Sequence, residues 1–156
     1  MTFRILALPR APFERYIAMT DRELIAAGAV RMIADTPNSA PCRVSLVDAE
    51  PGERLILLNH RHLDARRSPY RAEGPIFVRE AARQSEPEPG QAPDYLTRRL
   101  LSARAYDDAW MMIDADVVEG RDLSSRLSEW LSRPAVRTVH LHTARRGCYL
   151  AAARRA

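Results

Sequence analysis

Two of the four histidines and one of the two cysteines of this chain lie within nine residues near its carboxyl end. If this stretch is a strand, His140 and His142 point to the same face, because side chains along a strand alternate. A hairpin loop from Thr143 to Gly147, with Gly147 at positive φ, would place Cys148 opposite His142 on that face. Two imidazoles and a thiol would then share one patch of the molecule.

The first chemistry that fits these residue types is acid/base or thiol catalysis on an anionic small molecule. Histidine titrates near neutral pH, a thiolate is a nucleophile, and the planar guanidinium of arginine matches a carboxylate or a phosphate. The alternation of Cys42–Leu46 predicts a strand in which Arg43 faces away from Cys42, so Cys42 is more readily a core residue than a nucleophile. The candidate catalytic residues are His62, His140, His142, Cys42 and Cys148, and the candidate ligand-binding residues are Arg43, Arg71, Arg79, Arg104, Arg145, Tyr70 and Tyr106.

Two of these arginines, Arg79 and Arg104, lie in strand-like segments among apolar neighbours. A guanidinium held in such a place needs an anionic partner, because an unpaired buried charge costs several kcal/mol. That partner is either a ligand or an internal carboxylate such as Asp114, and the sequence leaves both possibilities open.

A metal site is the second possibility. His140, His142 and Cys148 supply three ligand types that zinc accepts, and His62 or Asp116 could complete the set. The spacing contains neither H-E-x-x-H nor C-x-x-C, so half-buried histidines packed against a tyrosine explain it equally simply. We therefore expect no tightly held metal, and we expect no cofactor because no P-loop, dinucleotide fingerprint or nucleophile elbow is present.

A non-enzymatic binding or interaction module is the third possibility. Aromatic and arginine side chains could form a ligand face, although aromatic residues at strand spacing are more often part of a core. Asp114 and Asp116 resemble a carboxylate pair, but an Asp-x-Asp after a hairpin is common at a strand edge. The residues of this possible face are Tyr70, Arg71, Arg79, Tyr106 and Trp110.

Length and composition indicate one globular domain spanning residues 1–156. The hydrophobic fraction of 46% and the charged fraction of 28% are typical of a soluble protein. The amino terminus has too short an apolar run for a signal peptide, and no window is long enough for a membrane span. Two cysteines make no disulfide framework. These features predict a cytoplasmic protein without a membrane partner.

The net charge of +4 does not indicate nucleic-acid binding. All 24 basic residues are arginines, which is typical of a GC-rich coding sequence, and they are scattered among 20 acids instead of forming a basic run with aromatics. A mildly basic, solvated surface is the simpler explanation. An anionic small molecule is thus the expected partner, and the oligomeric state is not predicted.

The pattern of elements predicts the α+β class, with a mostly antiparallel sheet of about seven or eight short strands and two or three short helices. Thr20 and Glu23 form a capping box, and Asp122 is the predicted cap of a helix ending before Pro134. A Pro- and Glu-rich segment, residues 84–93, is predicted to be an exposed loop. The predicted strands are 3–8, 30–34, 42–46, 55–59, 74–80, the hairpin 101–106 and 110–118, and the closing hairpin around residues 139–149.

The chain resembles the bacterial "domain of unknown function 1203" family over essentially its whole length. The resemblance is carried by Pro41–Leu46, Asp48–Arg54, Leu58–Asn59, His62, Pro69–Arg71, Gly74–Glu80, Arg104–Asp107, Asp114–Val117, His140–His142, Arg145 and Gly147–Tyr149. It implies a stand-alone bacterial protein of similar length and carries no activity with it. His60 stands where the family pattern has a tyrosine, and Arg146 stands where it has a proline.

Overall fold

The structure, a computed structural model, describes residues 2–156 and has the predicted α+β class, with eight strands in two antiparallel sheets and four short helices. No helix in this range is long and apolar enough to cross a membrane. The strands are β1 (Phe3–Leu6), β2 (Val30–Ile33), β3 (Arg54–Leu63), β4 (Ala72–Arg79), β5 (Leu100–Tyr106), β6 (Met112–Glu119), β7 (Thr138–Thr143) and β8 (Tyr149–Arg155). The helices are α1 (Glu14–Ala18), α2 (Asp21–Ala26), α3 (Asp94–Thr97) and α4 (Leu123–Ser132).

The larger sheet has the strand order β1-β8-β7-β5-β6, and each pair is antiparallel. Helix α4 covers one face of this sheet. Its apolar residues recur every three or four positions, so they form one stripe along the helix that is buried against the sheet. The main core lies between this helix and the sheet. Its helical members are Leu123, Leu127, Trp130 and Leu131, and its strand members include Leu101, Ala103, Ala105, Val139, Leu141 and Ala151.

The smaller sheet has the order β2-β3-β4 and carries a second core. One face of β3 buries Ile56 and Leu58, and the same alternation continues to His60 and His62 at the end of the strand. The smaller sheet therefore packs two histidines against the larger sheet, on the face opposite α4.

The predicted strand 42–46 is wrong. The chain there makes only two isolated bridges, Pro41 with Asp48 and Cys42 with Phe77, and turns tightly, with Leu46 at a φ of 51°. The side chains of Cys42, Arg43, Val44 and Leu46 are all buried, so the strict alternation in the sequence does not correspond to two faces. The segment passes between the two sheets, so protein atoms surround these side chains. For this reason Arg43 points inward and not to solvent.

Local signals elsewhere are confirmed. The capping box of Thr20 and Glu23 starts α2, and Gly28 follows that helix at a φ of 74°. The hairpin of β5 and β6 turns where it was predicted, with the Asp107 carboxylate accepting from two backbone amides of the turn. Asp122 precedes α4 as predicted, but its side chain makes no capping hydrogen bond, because a short 3₁₀ turn leads into the helix.

The segment 84–93 lies at the surface as an irregular stretch of exposed and half-buried residues. Two backbone hydrogen bonds fix it to the rest of the chain, from Ser85 to the Val44 carbonyl and from Gly90 to the Phe3 carbonyl. The loop therefore follows the outer edge of β1 and does not extend freely into solvent.

Candidate functional site

The predicted placement of His140 and His142 is confirmed. Both lie in β7, which pairs antiparallel with β8, and both point to the face of the larger sheet opposite α4. Their side chains are 3% and 0% exposed, respectively. Across β5, His140 is paired with Arg104 and His142 with Ser102, which places these four side chains on one face.

The predicted position of Cys148 is wrong. A register shift between Leu141 and His142 pairs His142 with Tyr149, so the tyrosine occupies the place expected for the cysteine. Cys148 lies opposite Thr143 instead, with a backbone hydrogen bond of 2.9 Å from the Thr143 amide to the Cys148 carbonyl. Because side chains alternate, the thiol and the two imidazoles are on opposite sides of the hairpin.

A third histidine, His62 of β3, completes a group that we call the histidine cluster: His62, His140 and His142. The ring centroid of His62 lies 4.9 Å from that of His142 and 6.2 Å from that of His140. Its ring also stacks on Tyr149 at 5.3 Å with an interplanar angle of 9°. The cluster thus joins the two sheets, and residues far apart in sequence form it.

All three imidazoles of the cluster are neutral at pH 7. Burial lowers the pKa of His140 and of His142 to about 3, and the pKa of His62 to about 4. The nearby guanidinium of Arg104 adds to each decrease, since it repels a second positive charge. The histidines therefore enter chemistry at neutral pH as lone-pair acceptors or neutral donors.

Each histidine of the cluster has a buried ring nitrogen without a hydrogen-bond partner among residues 2–156. These atoms are Nδ1 of His62, Nδ1 of His140 and Nε2 of His142. The tautomer of His142 follows from its other nitrogen, since Nδ1–H donates to the Gly147 carbonyl at 2.8 Å and Nε2 is left as an acceptor. Buried polar atoms normally have a partner, so this is a place for a ligand or a water.

Arg104 lies beside the cluster with its charge uncompensated. Its Nε donates to the Ser102 hydroxyl at 3.2 Å, and within residues 2–156 no carboxylate forms an ion pair with it. The internal pair with Asp114 that the sequence allowed is absent, because Asp114 faces α4 and binds Arg133 there. Tyr106 and Trp110 pack around His140 at centroid distances of 5.1 Å and 5.8 Å, and Tyr70 packs edge-on to Tyr106.

A second feature, which we call the arginine cleft, lies on the other side of the closing hairpin. Its volume is about 580 Å³, within the range of small-molecule sites. Three arginines line it, and no acidic residue of the described chain does. Its lining residues are Asn38, Ser39, Pro41, Arg43, Leu57, Pro75, Ile76, Phe77, Arg99, Thr143, Arg146 and Cys148.

Arg43 is the most deeply buried of the three arginines, at 2% exposed. Its Nε donates to the Tyr149 carbonyl at 2.6 Å, and its Nη1 donates to the Pro41 carbonyl. Only neutral acceptors contact it within residues 2–156, and burial lowers the pKa of its guanidinium. Arg99 is different, because it forms an ion pair with Asp48, whereas Arg146 is exposed at the mouth of the cleft.

Other predicted site residues serve the structure. Arg79 forms an internal ion pair, since its Nε donates to the Glu53 carboxylate at 3.0 Å and 3.1 Å and its Nη1 donates to Ser45. Cys42 is fully buried and its sulfur accepts from the Arg79 amide, which agrees with a core role. The remaining predicted residues lie outside both sites: Arg71 pairs with Asp64 at the surface, Arg145 is exposed, and Asp116 pairs with Arg126 of α4.

Three lining residues of the cleft, Arg99, Arg146 and Phe77, are not among the predicted site residues. Arg99 comes from the turn before β5, Arg146 from the last hairpin loop and Phe77 from β4, so no spacing in the sequence connects them. One weak signal was the concentration of arginine in that hairpin loop.

The described residues hold no group of three or more His, Cys, Asp and Glu side chains arranged to bind a metal ion. In particular, the proposed set of His140, His142 and Cys148 is divided between the two sides of the hairpin, so those three cannot act as one ligand set.

A family model described as "Protein of unknown function (DUF1203)" matches residues 39–155. The chain belongs to this family. The matched region contains the histidine cluster, Arg104 and all lining residues of the arginine cleft except Asn38, so both features lie within the family domain. No curated protein and no solved structure gives a significant match.

Proposed function

We propose that this protein binds an anionic small molecule in the arginine cleft. The proposal rests on the environment of Arg43. This residue is 2% exposed and lines the cleft, and within residues 2–156 its guanidinium donates hydrogen bonds only to carbonyl oxygens. A carbonyl dipole satisfies an N–H group but does not neutralise a full positive charge. An isolated buried ion costs several kcal/mol, and an anion in the cleft would remove much of that cost.

The other lining residues support the same ligand class. Arg146 brings further positive charge, whereas the charge of Arg99 is balanced by Asp48 and no carboxylate of the described chain lines the cleft. A cleft of one sign with protein walls concentrates ions of the opposite sign. Arginine's fork matches the two oxygens of a carboxylate or the oxygens of a phosphate.

The apolar wall indicates what the rest of the ligand is like. Leu57, Pro75 and Phe77 line one part of the cleft, and the hydroxyls of Ser39 and Thr143 supply neutral polar contacts. Such a mixture is typical of sites that bury an apolar body and fix its orientation by a few polar groups. We infer an organic anion with one carboxylate or phosphate group and a flat or branched apolar part.

Binding is better supported than catalysis. Cys148 is the one thiol in the cleft, but the three imidazoles that could act as its base lie on the other side of the hairpin. A nucleophile needs a base within hydrogen-bonding reach. Thiol chemistry at Cys148 is therefore a secondary proposal. The cytoplasmic location and the bacterial source that the sequence predicts also stay proposals.

The test uses benzoate as a simple anion with an apolar body and benzamide as its neutral counterpart. Benzoate should raise the melting temperature of the wild type, by the equivalent of about 2.7 kcal/mol at a hundredfold excess over Kd, and benzamide should not. The effect should disappear in Arg43→Met and in Arg146→Met.

Arg145→Met is the matched control, because Arg145 is the exposed neighbour of Arg146 in the same loop and does not line the cleft. It should respond to benzoate as the wild type does. If Arg43→Met fails to fold, Arg146→Met decides alone. Equal stabilisation by benzamide, or a full response in Arg146→Met, would show that the cleft does not select anions.

A further inference from the structure

The histidine cluster and Arg104 form a site separate from the arginine cleft. Both lie along the closing hairpin, but the alternation of β7 divides them: His142 points to one side, and Thr143, which lines the cleft, points to the other. Arg104 lies on β5, opposite His140 of β7. It is half-buried and therefore within reach of solvent.

Every charged group that faces the cluster is positive or becomes positive on protonation. The groups that influence the three imidazoles come from β3, β5, β7 and β8, and no carboxylate of the described chain is among them. They are His60 of β3, Arg104 of β5 and Arg154 of β8, together with the histidines of the cluster acting on one another. The neighbouring hydroxyl groups belong to Ser102, Tyr70, Tyr106 and Tyr149, and burial raises the pKa of Tyr106 and Tyr149.

This charge pattern opposes a metal cation and favours an anion. Three neutral imidazoles alone resemble a zinc ligand set, but the fixed positive charge of Arg104 disfavours a divalent cation near them. Zinc ligands of the histidine type usually donate their second nitrogen to a carboxylate or a carbonyl, and within residues 2–156 His142 alone among the three has such a partner. The same guanidinium is an available donor for an oxyanion.

The tautomer of His142 adds a condition. In the neutral imidazole of His142, Nε2 carries a lone pair and no proton, so it repels an oxyanion. If that nitrogen takes up a proton, it becomes a donor on a positively charged ring, and the anion and the imidazolium stabilise each other. An anion that contacts both Arg104 and this ring is therefore bound more tightly when a proton is bound with it.

We propose that Arg104 and the histidine cluster bind a small oxyanion together with a proton. Arg104 supplies the permanent charge, and Nε2 of His142 supplies the second, proton-dependent donor. This site is independent of the proposed function, because it uses neither Arg43 nor Arg146.

Sulfate is the probe, since it stays fully ionised across the pH range used. The titrations are done by calorimetry in the Arg146→Met background, after loss of the benzoate response has shown that the arginine cleft of this variant no longer binds anions. The affinity for sulfate should rise as the pH falls from about 7.5 to 5.5, by up to tenfold per pH unit for one linked proton. Adding Arg104→Met should abolish binding, and adding His142→Gln should leave weaker binding without the pH dependence.

The outcomes separate this inference from the proposed function. Affinity for sulfate that does not change with pH, or that survives Arg104→Met, would overturn the proton-linked site whatever benzoate does in the cleft. One equivalent of bound zinc that is lost in His142→Gln would overturn it in favour of a metal site. A benzoate response lost in Arg146→Met, with proton-linked sulfate binding retained there, would support both sites separately.

Discussion

Acidification from pH 8 to pH 5 should cost this protein about 4 kcal/mol of unfolding free energy through two residues, His140 and His142, and the half-buried His62 adds a smaller loss of the same sign. Burial lowers the pKa of both to about 3, so the folded protein keeps them neutral throughout this range. In the unfolded chain a histidine has a pKa of about 6.5 and is almost fully protonated at pH 5.

The sign follows from which state binds the proton. Because the pKa is lower in the folded state, the unfolded state takes up protons first, and stability falls as the pH falls below about 6.5. Once its imidazole is protonated in the unfolded chain, each of the two histidines lowers the free energy of unfolding by about 1.4 kcal/mol per pH unit. This amounts to about 2 kcal/mol for each histidine at pH 5. This result holds for any folded pKa well below 5, so it does not depend on the value of 3.

Carboxylates do not obscure the effect in this range. The pKa values of Glu53 and Asp114 are lowered by hydrogen bonds from Arg79 and Arg133, respectively. Their stabilising contribution is present above their ordinary pKa near 4 and is lost only as the pH falls below it. Measurements between pH 5 and pH 8 therefore report mainly on the histidines.

The assay is urea unfolding at pH 8, 6.5 and 5 in a buffer without sulfate or phosphate. His142→Gln and His140→Gln remove one titrating group each and keep a polar side chain. Each variant should start less stable at pH 8 but lose about 2 kcal/mol less than the wild type on going to pH 5. A pH dependence unchanged in both variants, or a wild type that gains stability on acidification, would refute the assignment of neutral buried imidazoles.

The remaining predictions concern packing, ion pairing and metal content. Gly120→Ala should destabilise the protein by about 3 kcal/mol or more, because an added Cβ would lie 2.3 Å from the Leu96 carbonyl oxygen, whereas Gly74→Ala meets no atom within 4 Å and should unfold near the wild-type urea midpoint. Arg79→Met should cost about 1–3 kcal/mol in urea unfolding, since it leaves the Glu53 carboxylate unpaired, and should leave the benzoate response intact; loss of that response would assign Arg79 to a ligand site. Protein purified without chelator should contain far less than one zinc per chain by elemental analysis, and a stoichiometric amount would restore the metal interpretation.

Local interactions made much of the fold predictable from the sequence. The capping box at Thr20, the turn at Asp107 and the alternation of His140 and His142 each depend on residues within a few positions of one another. Such features follow from backbone geometry and short-range hydrogen bonds, which the sequence encodes directly. The class, the hairpins and the shared face of two histidines were predictable for this reason.

The register of the closing hairpin was not predictable in the same way. Leu150 of β8 is an extra residue opposite the step from Leu141 to His142, and the pairing beyond it puts Tyr149 opposite His142, where Cys148 was expected, with the thiol on the opposite side. Because the side-chain period of a strand is two, a shift of one residue changes every face assignment beyond it. At this point of the hairpin Tyr149 stacks on His62 of β3, a contact between segments far apart in the chain.

The sequence by itself determined which residue types were available for a site and which local elements carried them. Only the tertiary structure decided how the arginines were used: Arg79 is paired with Glu53, whereas Arg43 and Arg104 have no carboxylate partner in residues 2–156. Whether an arginine has a carboxylate partner depends on which distant segments pack against it. The sequence pattern around the three arginines is alike, so it does not distinguish them. The same reason explains why His62 could be suspected but its stacking on Tyr149 could not be foreseen, since that contact exists only once the two sheets have packed together.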